Sequence, residues 1–349
     1  MDGGNPPISK ETAQQSAGTR EEGMDISLFA APLKGRLAAH YKQLLSICDL
    51  RDEEDADVVA LMTDDDFNVV ACAARAGHTL KQFAVSPAFE GEGAAASLLS
   101  ALVGDAMQRG ITRLFLCTKP KNRNMFASMG FSPIVEVKDA VLMENRRRGF
   151  DEFLASVPKR EGVCGAIVMN ADPFTRGHLH LIETASKRCD ALYVFVVSED
   201  GSLFSPEERY QMIERGSAHI PNRILVRSEL YLVSRATFPA YFIRDEAHVD
   251  EMRADLDIEL FRSRIAPALN ITVRFVGEEP FSPTTRAYNE RMKKLLPEKG
   301  IELIEIPRLA AISATRVREA VKKGNPEEIM DLVPEITYEA IQNHLAGHA

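Results

Sequence analysis

The sequence predicts an α/β protein with two domains, an N-terminal α+β domain and a C-terminal domain built on a doubly wound parallel sheet. Three observations support this prediction. The length of 349 residues is about that of two domains. In the second half, apolar strands alternate regularly with helices, which is typical of a parallel sheet. In the first half, paired strands precede a glycine-rich turn and an amphipathic helix.

The N-terminal elements follow from composition and apolar spacing. Residues 1–25 are rich in Gly, Pro, Ser, Gln and charge, and we expect a disordered tail there. Apolar residues at helical spacing predict a helix over 33–47, and two apolar runs predict strands at Val58–Met62 and Phe67–Ala74. The chain then predicts a strand ending at Val85, a glycine-rich turn, a helix, a strand at Leu114–Cys117, a short helix and a last strand.

This order and the turn Glu90-Gly91-Glu92-Gly93 resemble the acetyl-CoA-binding core of the GNAT N-acetyltransferases over roughly residues 55–145. In that family the turn reads Arg/Gln-x-x-Gly-x-Gly/Ala, and its N–H groups hold the pyrophosphate of coenzyme A. Here Glu90 replaces the Arg or Gln, and carboxylates beside a pyrophosphate are unfavourable. Two alternatives therefore remain: an active acetyl-CoA acetyltransferase domain, or a retained fold with lost or altered ligand binding.

The second domain is expected to follow a short basic cluster, Arg146-Arg147-Arg148, which we read as a solvated surface within an inter-domain connection that runs to Gly162. We place the GNAT-like domain at residues 26–148 and the second domain at 149–349. Apolar runs predict five strands, at Val163–Met169, Ala191–Val197, Ile224–Val226, Thr272–Val276 and Ile301–Ile306. Helices are predicted to begin near Gly177, Pro206, Phe238, Asp255 and Thr284.

The turn after the first of these strands has the composition of a phosphate site. Thr175-Arg176-Gly177-His178 opens a helix whose apolar stripe continues through Leu179, Ile182 and Ala185. Its free N–H groups would lie at the carboxyl edge of the sheet, where phosphates bind. Gly177 leaves room for a ligand, and Thr175 and His178 can hydrogen-bond it. The alternative is a capped helix with a satisfied histidine. His178 and His180 lie roughly 200° apart around a helix, so they do not predict a shared metal site.

A similar turn follows the last strand. In Ile312-Ser313-Ala314-Thr315-Arg316-Val317-Arg318, Ser313 or Thr315 can open a helix with Val317 and Val321 on its apolar face. Hydroxyls, free N–H groups and an arginine then converge at one helix start. The alternative is an ordinary N-cap with solvated arginines. Together with the first turn, this pattern resembles the nucleotidyltransferase superfamily with the HIGH-type (His/Thr)-x-Gly-His turn, which includes pantetheine-phosphate adenylyltransferase.

Composition limits the classes of function. An apolar fraction of 45% suits a globular protein, and a net charge of −9 argues against a nucleic-acid surface. The apolar runs are too short to span a bilayer, and the N-terminus has no signal-peptide core. Five scattered cysteines without a CxxC pair are typical of reduced thiols. We therefore expect a cytoplasmic protein without a nucleic-acid or membrane partner.

A closer resemblance covers about residues 26–349. Segments such as NADPFTRGHLHLIE and RFVGEEPFSPTTRAYNE are similar to the citrate lyase ligases, which join a GNAT-like domain to a nucleotidyltransferase domain in this order. The chain departs from that family at Asp172, where Asn is usual, at Gly201, where Lys is expected, and at Arg235, which replaces a small residue. The connection from Arg308 to Ile312 is also short.

The resemblance implies ATP-dependent acetylation of the thiol of the coenzyme-A-like group on the citrate lyase acyl-carrier subunit. Acetate would form acetyl-adenylate and pyrophosphate, and the thiol would then displace AMP. The implied catalytic residues are His178, which would stabilise the α-phosphate, and Thr175. Glu278, Arg286 and Tyr288 would lie near acetate or the carrier, and magnesium would assist without a protein metal site. The implied ATP contacts are Asn170, Phe174, Thr175, Gly177, His178, Arg209, Ser313, Thr315 and Arg318.

Other functions remain open on the sequence. The acetylated carrier could belong to another enzyme, such as malonate decarboxylase. The chain could instead be an acetyl-CoA-dependent N-acetyltransferase whose second domain binds a nucleotide. The carrier arm is built like dephospho-coenzyme A, so the groove of the GNAT-like domain could hold that arm. For Arg209, the alternative to a phosphate contact is a surface ion pair with a nearby glutamate.

Overall fold

The computed structural model describes residues 25–91, 93–198, 203–232, 239–243, 245–280, 282–309 and 312–347. Their contacts divide the chain into two units, Met1–Gly149 with Arg235–Leu256 and Phe150–Ser234 with Asp257–Ala349. The expected domains are continuous, whereas the first unit also contains the segment Arg235–Leu256 from the second half. The predicted tail lies almost wholly outside the described residues, and Asp25 already belongs to the first strand.

The first unit is a mixed seven-stranded sheet with the order β1-β2-β3-β4-β5-β7-β6. Among the described residues, β4 pairs with β5 in parallel and the other neighbouring strands are antiparallel. Short 3₁₀ turns occur at Pro87–Phe89 and Pro120–Asn122. The elements are β1 Asp25–Ala30, α1 Gly35–Ile47, β2 Val58–Thr63, β3 Val69–Ala76, β4 Thr79–Val85, α2 Ala94–Gln108, β5 Phe115–Thr118, α3 Arg123–Ser128, β6 Ser132–Glu136 and β7 Val141–Glu144.

Helices cover both faces of this sheet. Successive side chains of a strand point to opposite faces of the sheet, so a strand that is buried along its length must have other elements packed on both faces. In β2, Val58 and Ala60 pack in the cluster that contains Leu98 of α2. Val59, on the other face, packs in the cluster that contains Leu44 of α1. The α+β prediction is therefore confirmed.

The glycine-rich turn leads into α2 as predicted. Gly91 has φ +90° and Gly93, the N-cap of α2, has φ +79°, a region that residues with a Cβ rarely adopt. Glu90 is largely exposed, and Glu92 lies outside the described residues. Two glycines of the turn thus take the left-handed conformation, and an exposed carboxylate lies at its start.

The second unit is a parallel sheet of five strands covered by helices. Residues Phe261–Ile265 form a π-helical turn and Ala266–Ala268 a short helical turn after α7, and 3₁₀ turns occur at Pro297–Lys299 and Pro326–Ile329. The elements from here to the C-terminus are α4 Gly149–Ser156, β8 Cys164–Met169, α5 Arg176–Ser186, β9 Ala191–Val196, α6 Pro206–Gly216, β10 Arg223–Arg227, α7 Glu246–Leu260, β11 Ile271–Gly277, α8 Pro283–Leu295, β12 Glu302–Ile306, α9 Ala314–Lys322 and α10 Glu335–Gly347.

The strand order in this sheet is β10-β9-β8-β11-β12, with every pair parallel. The chain winds from β8 to β10 in one direction and then returns to add β11 and β12 on the other side of β8. This is a doubly wound sheet with a switch point between β8 and β11, and ligands of such sheets bind outside the carboxyl ends at that point. The prediction of a doubly wound parallel sheet is confirmed.

One predicted helix start was wrong. A helix was expected to begin near Asp255, but that residue lies inside a helix that runs over Glu246–Leu260. The helix start expected near Phe238 lies outside the described residues. The Asp245 carboxylate accepts a hydrogen bond from the N–H of Ala247 at 3.1 Å, which caps the true start. The expected connection up to Gly162 contains the helix α4, whose Phe150 and Phe153 pack on Tyr231.

No helix in the described part of the chain combines the length and the apolarity that a membrane-spanning segment requires.

Candidate active site

The predicted turns lie where the fold predicts a ligand site. Asn170 follows β8 directly, Glu278 follows β11, and Ile312 lies between β12 and α9. The N–H of Glu278 donates to the carbonyl of Ile306 at 3.0 Å, so the carboxyl ends of β11 and β12 are held side by side. The site is therefore assembled at the carboxyl edge, on both sides of the switch point.

The start of α5 is a reciprocal cap. Thr175 is the N-cap, and its hydroxyl oxygen accepts the N–H of His178 at 3.3 Å. In return, Nδ1 of His178 accepts the N–H of Thr175 at 3.0 Å. The capped-helix alternative is thus correct as geometry, and His178 is part of the cap. The same cap fixes the direction of the imidazole ring.

The cap also determines where the imidazole carries its proton. A backbone N–H can only donate, so Nδ1 must be the unprotonated nitrogen and the neutral ring carries its hydrogen on Nε2. Burial and then the positive charges of Arg308 and Arg318 lower the pKa of His178 to about 4. At neutral pH this residue is therefore an uncharged donor with one N–H available beyond the cap.

Phe174 supports the imidazole from one side. Its ring stacks on that of His178 with 6.1 Å between centroids and 14° between planes. The Phe174 side chain is fully buried in the core of the unit, so it faces the imidazole and the core rather than solvent. Gly216 accommodates it, because a Cβ there would approach a Phe174 ring carbon to 2.8 Å.

The two predicted turns meet at Gly177. A Cβ built on Gly177 would lie 3.6 Å from Cγ2 of Ile312, the first residue of the second turn. It would also lie 3.5 Å from Oγ1 of Thr175, and both distances are ordinary van der Waals contacts. The protein itself therefore does not require a glycine at this position, and the space above it is available to a ligand.

Arg318 joins the second turn to the first. One guanidinium nitrogen donates to the carbonyl oxygen of Asp172 at 2.5 Å and lies 3.9 Å from its carboxylate. The other donates to Oγ1 of Thr315 at 3.1 Å. Ser313 is the N-cap of α9 but makes no side-chain cap bond, so the Ser313 hydroxyl and the first N–H groups of the helix are not used by a cap. The turn at Thr175–His178 and the turn at Ile312–Arg318 therefore form one surface.

Asp172, one of the departures from the expected pattern, has a structural role. Its carboxylate is buried and accepts N–H groups of Leu203 at 3.4 Å and Phe204 at 3.3 Å. It thereby attaches the loop after β8 to the residues that precede α6. Gly201 and Arg235, the other two departures, lie outside the described residues.

Arg209 is not a surface residue, so the surface ion-pair alternative was wrong. Its side chain is fully buried. The guanidinium donates to the carbonyls of Asn170 and Val197, both at 2.9 Å, to the Asn170 side-chain oxygen, and to the Phe204 carbonyl at 3.2 Å. Because Asn170 and Val197 follow β8 and β9, this one cation holds two strand ends together. The sequence pattern offered no signal for that burial.

Arg308 is a candidate residue that the sequence analysis did not select. It follows β12, and its positive charge contributes to the lowered pKa of His178. Its guanidinium forms an ion pair with the Glu279 carboxylate at 3.1 Å. The position of an arginine directly after the last strand of a parallel sheet is the signal that could have identified it.

Of the three residues expected near the second substrate, Glu278 follows β11, and Arg286 and Tyr288 lie in α8. Glu278 and Arg286 are exposed. The Arg286 guanidinium donates to the carbonyls of Glu279 at 3.4 Å and Pro280 at 2.6 Å. The Tyr288 hydroxyl instead donates to Asp257 of α7, and burial, together with that negative charge, raises the pKa of the phenol well above its usual value.

Surface grooves elsewhere in the unit are remote from this chemistry. One is lined by residues such as Gly162, Ile271 and Ile301, and another by Lys293 and Gly300. Gly162, Ile271 and Ile301 precede or begin strands, so their groove lies at the opposite, amino edge of the sheet. Among the described residues, no three His, Cys, Asp or Glu side chains group as a metal-binding cluster.

Comparison with known proteins gives consistent matches over both units. The family model "Citrate lyase ligase C-terminal domain" matches residues 164–341, and the model "Acetyltransferase (GNAT) family" matches residues 29–131. The chain is 44% identical over 294 residues to the [citrate [pro-3S]-lyase] ligase of Klebsiella pneumoniae, covering 81% of this chain and 86% of that protein. It is 38% identical over 336 residues to the enzyme of that name from Escherichia coli, covering 93% and 95%.

A more distant relative covers about half of the chain. A phosphopantetheine adenylyltransferase of Streptococcus gordonii is 25% identical over 176 residues, which is 49% of this chain and 88% of that protein.

Proposed function

The chain belongs to the citrate lyase ligase family, and from this premise we propose that it uses ATP to acetylate the thiol of the coenzyme-A-like group on the citrate lyase acyl-carrier subunit. The observation that carries the proposal is the meeting of the two helix-start turns, with Ile312 against Gly177 and Arg318 bonded to Asp172. Two helix N-termini at one sheet edge suit the phosphates of a nucleoside triphosphate.

The proposed reaction has two steps. A carboxylate oxygen of acetate attacks the α-phosphorus of ATP, and the bond to the β-phosphate oxygen breaks to release pyrophosphate. The carrier thiolate then attacks the acetyl carbon of the acetyl-adenylate, and AMP leaves. Neither step needs a nucleophile from the protein, so its residues contribute by positioning the phosphates and stabilising charge.

His178 is proposed to act on the α-phosphate as a neutral donor. Its Nε2–H would bond the phosphate oxygens while negative charge accumulates there. The lowered pKa and the occupied Nδ1 support this role, because a neutral ring with a fixed tautomer can donate without first losing or gaining a proton. The same facts argue against His178 as a general base, since its free nitrogen carries a hydrogen.

The second turn is proposed to hold the leaving pyrophosphate. The start of α9 offers backbone N–H groups and the hydroxyls of Ser313 and Thr315. Arg318 and Arg308 add positive charge at the same edge, as their influence on His178 indicates. Asn170 and Arg209 would support the site indirectly. The Arg209 guanidinium donates to the carbonyl and the side-chain oxygen of Asn170, and these hydrogen bonds set the position of the loop after β8.

Magnesium is proposed to arrive with ATP. Magnesium at such sites is usually bound through substrate phosphates and one or two carboxylates rather than by a dedicated protein cage. Asp172 is occupied by N–H groups and Arg318, which leaves the ATP phosphates as the main ligands. The ion would add positive charge at the β- and γ-phosphates.

The acetate and carrier end is proposed to lie toward α8. Arg286 is exposed and positively charged, which suits a carboxylate, and Glu278, which follows β11, is also exposed. Tyr288 is proposed to support α8 through Asp257 rather than to contact substrate.

Acetate-dependent ATP–pyrophosphate exchange tests the first step with the full-length protein. We expect incorporation of labelled pyrophosphate into ATP only when acetate is present. Exchange without acetate, or no exchange at all, would contradict adenylation of acetate. Acetylation of the holo-carrier of citrate lyase against that of malonate decarboxylase then tests the carrier, and preference for the second would move the assignment to that enzyme.

A further inference from the structure

The protein itself occupies most of the free N–H groups at the start of α5. Four N–H groups at a helix start have no partner inside the helix, here those of Thr175, Arg176, Gly177 and His178. The N–H of Thr175 donates to Nδ1 of His178, and the N–H of His178 donates to Oγ1 of Thr175. The N–H of Arg176 donates to the carbonyl oxygen of Leu332 at 2.9 Å. Within the described part of the chain, only Gly177 keeps an N–H without a partner at this helix start.

The carbonyl of Leu332 is held in place by the core of the second unit. The N–H of Leu332 donates to the carbonyl of Ile329 at 2.9 Å, so the residue follows directly on the 3₁₀ turn Pro326–Ile329. The side chains of Leu332, Ile329 and Val333 are buried in the hydrophobic cluster that also contains Phe174. The carbonyl therefore meets α5 as part of a packed element, whose position the core determines.

The helix that follows this turn borders the ring on which His178 stacks. A Cβ built on Gly216 would lie 2.8 Å from a ring carbon of Phe174 and 3.3 Å from Cγ2 of Ile336, so these two side chains border the same small space. Ile336 belongs to α10. The residues after α9 therefore contact both the backbone and the aromatic ring that set the position of His178.

We propose that the Leu332 carbonyl is a positioning group for the α-phosphate, which it directs to Gly177 and His178 by occupying the N–H of Arg176. This inference rests on the proposed function, because it concerns the donors that α5 offers to ATP. A phosphate oxygen displaced toward Arg176 would meet a carbonyl oxygen, and the negative charges of the two oxygens repel each other. The Gly177 N–H and the Nε2–H of His178 remain, so the α-phosphate has one position on α5.

Arg176→Pro removes the hydrogen bond to Leu332 and keeps the helix start. Arg176 is the first residue of α5, where proline is favoured because the missing N–H has no partner inside the helix. Thr175 before it is extended, with φ −106° and ψ 167°, which suits a residue that precedes proline. In the same unit, α6 and α8 begin with Pro206 and Pro283. Arg176→Ala is the matched control, because it loses the same exposed side chain and keeps the N–H.

The kcat of acetate-dependent ATP–pyrophosphate exchange separates positioning from stability. At a temperature where circular dichroism shows both variants folded, kcat should be roughly tenfold or more lower in Arg176→Pro than in Arg176→Ala, because the donors to the transition state are displaced. The KM for ATP should change less than kcat, since the other phosphate contacts remain. Equal kcat values, with or without a lower melting temperature of Arg176→Pro, would overturn the proposal.

Amide hydrogen exchange in the wild-type protein tests the same bond without a substitution. In the free protein, the Arg176 amide should exchange on the order of tenfold more slowly than the Gly177 amide, and ATP should slow exchange at Gly177 alone. Slower exchange at Arg176 on addition of ATP, or no change at Gly177, would show that Leu332 does not direct the phosphate. If ATP slows the Gly177 amide but the wild type catalyses no acetate-dependent exchange, the proposed reaction is wrong and the inferred phosphate position holds.

Discussion

Single residues decide the chemistry of the candidate site through the positions of protons. The Thr175 N–H occupies Nδ1 of His178, and two arginines and burial disfavour a second proton on the ring. The result is a neutral donor whose hydrogen lies on Nε2. The cap uses Nδ1, so it is compatible with the proposed phosphate contact, which would use Nε2.

Replacement of His178 by Asn should lower the rate of acetate-dependent ATP–pyrophosphate exchange by roughly 10²–10³-fold, because a donor to the developing charge is lost. The shorter amide cannot reach the position of Nε2. His180→Asn is the control, since that residue lies on another face of α5 and should keep its activity. A near-normal rate in His178→Asn would remove this residue from the mechanism.

The lowered pKa of His178 also makes a prediction about stability and pH. Between about pH 6.5, the value of a free histidine, and about pH 4, the unfolded chain binds a proton here that the native protein does not. The wild type should therefore lose stability relative to His178→Asn as the pH falls through this window, by on the order of 2 kcal/mol. Denaturant unfolding of both proteins at pH 7 and pH 5 measures the difference, and a constant difference would contradict the neutral, buried imidazole.

At the level of elements, the site depends on two helix starts that are built differently. α5 begins with a complete reciprocal cap, whereas α9 begins at Ser313 without a side-chain cap bond. The first start is therefore rigid, and the second keeps unsatisfied donors that an anion can bind. Arg318 links the two by its bond to the carbonyl of Asp172.

Gly177→Ala separates stability from ligand binding. The new Cβ would make only ordinary contacts, at 3.5 Å and 3.6 Å, and Ala favours a helix more than Gly. The melting temperature should stay the same or rise slightly. The KM for ATP should rise by about tenfold or more if the ligand approaches this backbone closely. An unchanged KM would show that the space above Gly177 is not used.

At the level of the whole molecule, the doubly wound sheet brings together residues more than 140 positions apart, such as Asp172 and Arg318. The central strand β8 is buried on both faces, so its side chains must be small where neighbours are large. Gly165 is the tightest point, because a Cβ there would lie 2.5 Å from a ring carbon of Phe275 and 3.1 Å from the sulfur of Cys189.

Gly165→Ala should destabilise the protein by about 1–3 kcal/mol, since the Phe275 ring or the strand must move to admit the methyl group. Gly104→Ala is the matched control. It lies in α2 with no atom within 4 Å of the new Cβ, and it should be neutral or stabilising. Urea unfolding compares the two, and equal stabilities would mean that the core around β8 adjusts freely.

Local sequence signals predicted much of this arrangement. The five strands of the second unit and the starts of α5, α6 and α8 lie within a few residues of the expected positions, because caps and apolar runs act over short distances. α7 was mispredicted because its start depends on Asp245, which is one of several acidic residues in that stretch.

The sequence by itself determined the two fold types and the sheet edge at which the turns of Thr175–His178 and Ile312–Arg318 meet. A parallel sheet places all carboxyl ends on one side, so the strand order alone locates the site. Only the tertiary structure decided which polar groups are already occupied. The Arg209 guanidinium is occupied by the carbonyls at two strand ends, and the Tyr288 hydroxyl is occupied by Asp257. Buried donors and acceptors must be paired, and their partners lie too far away in sequence for any local pattern to identify them.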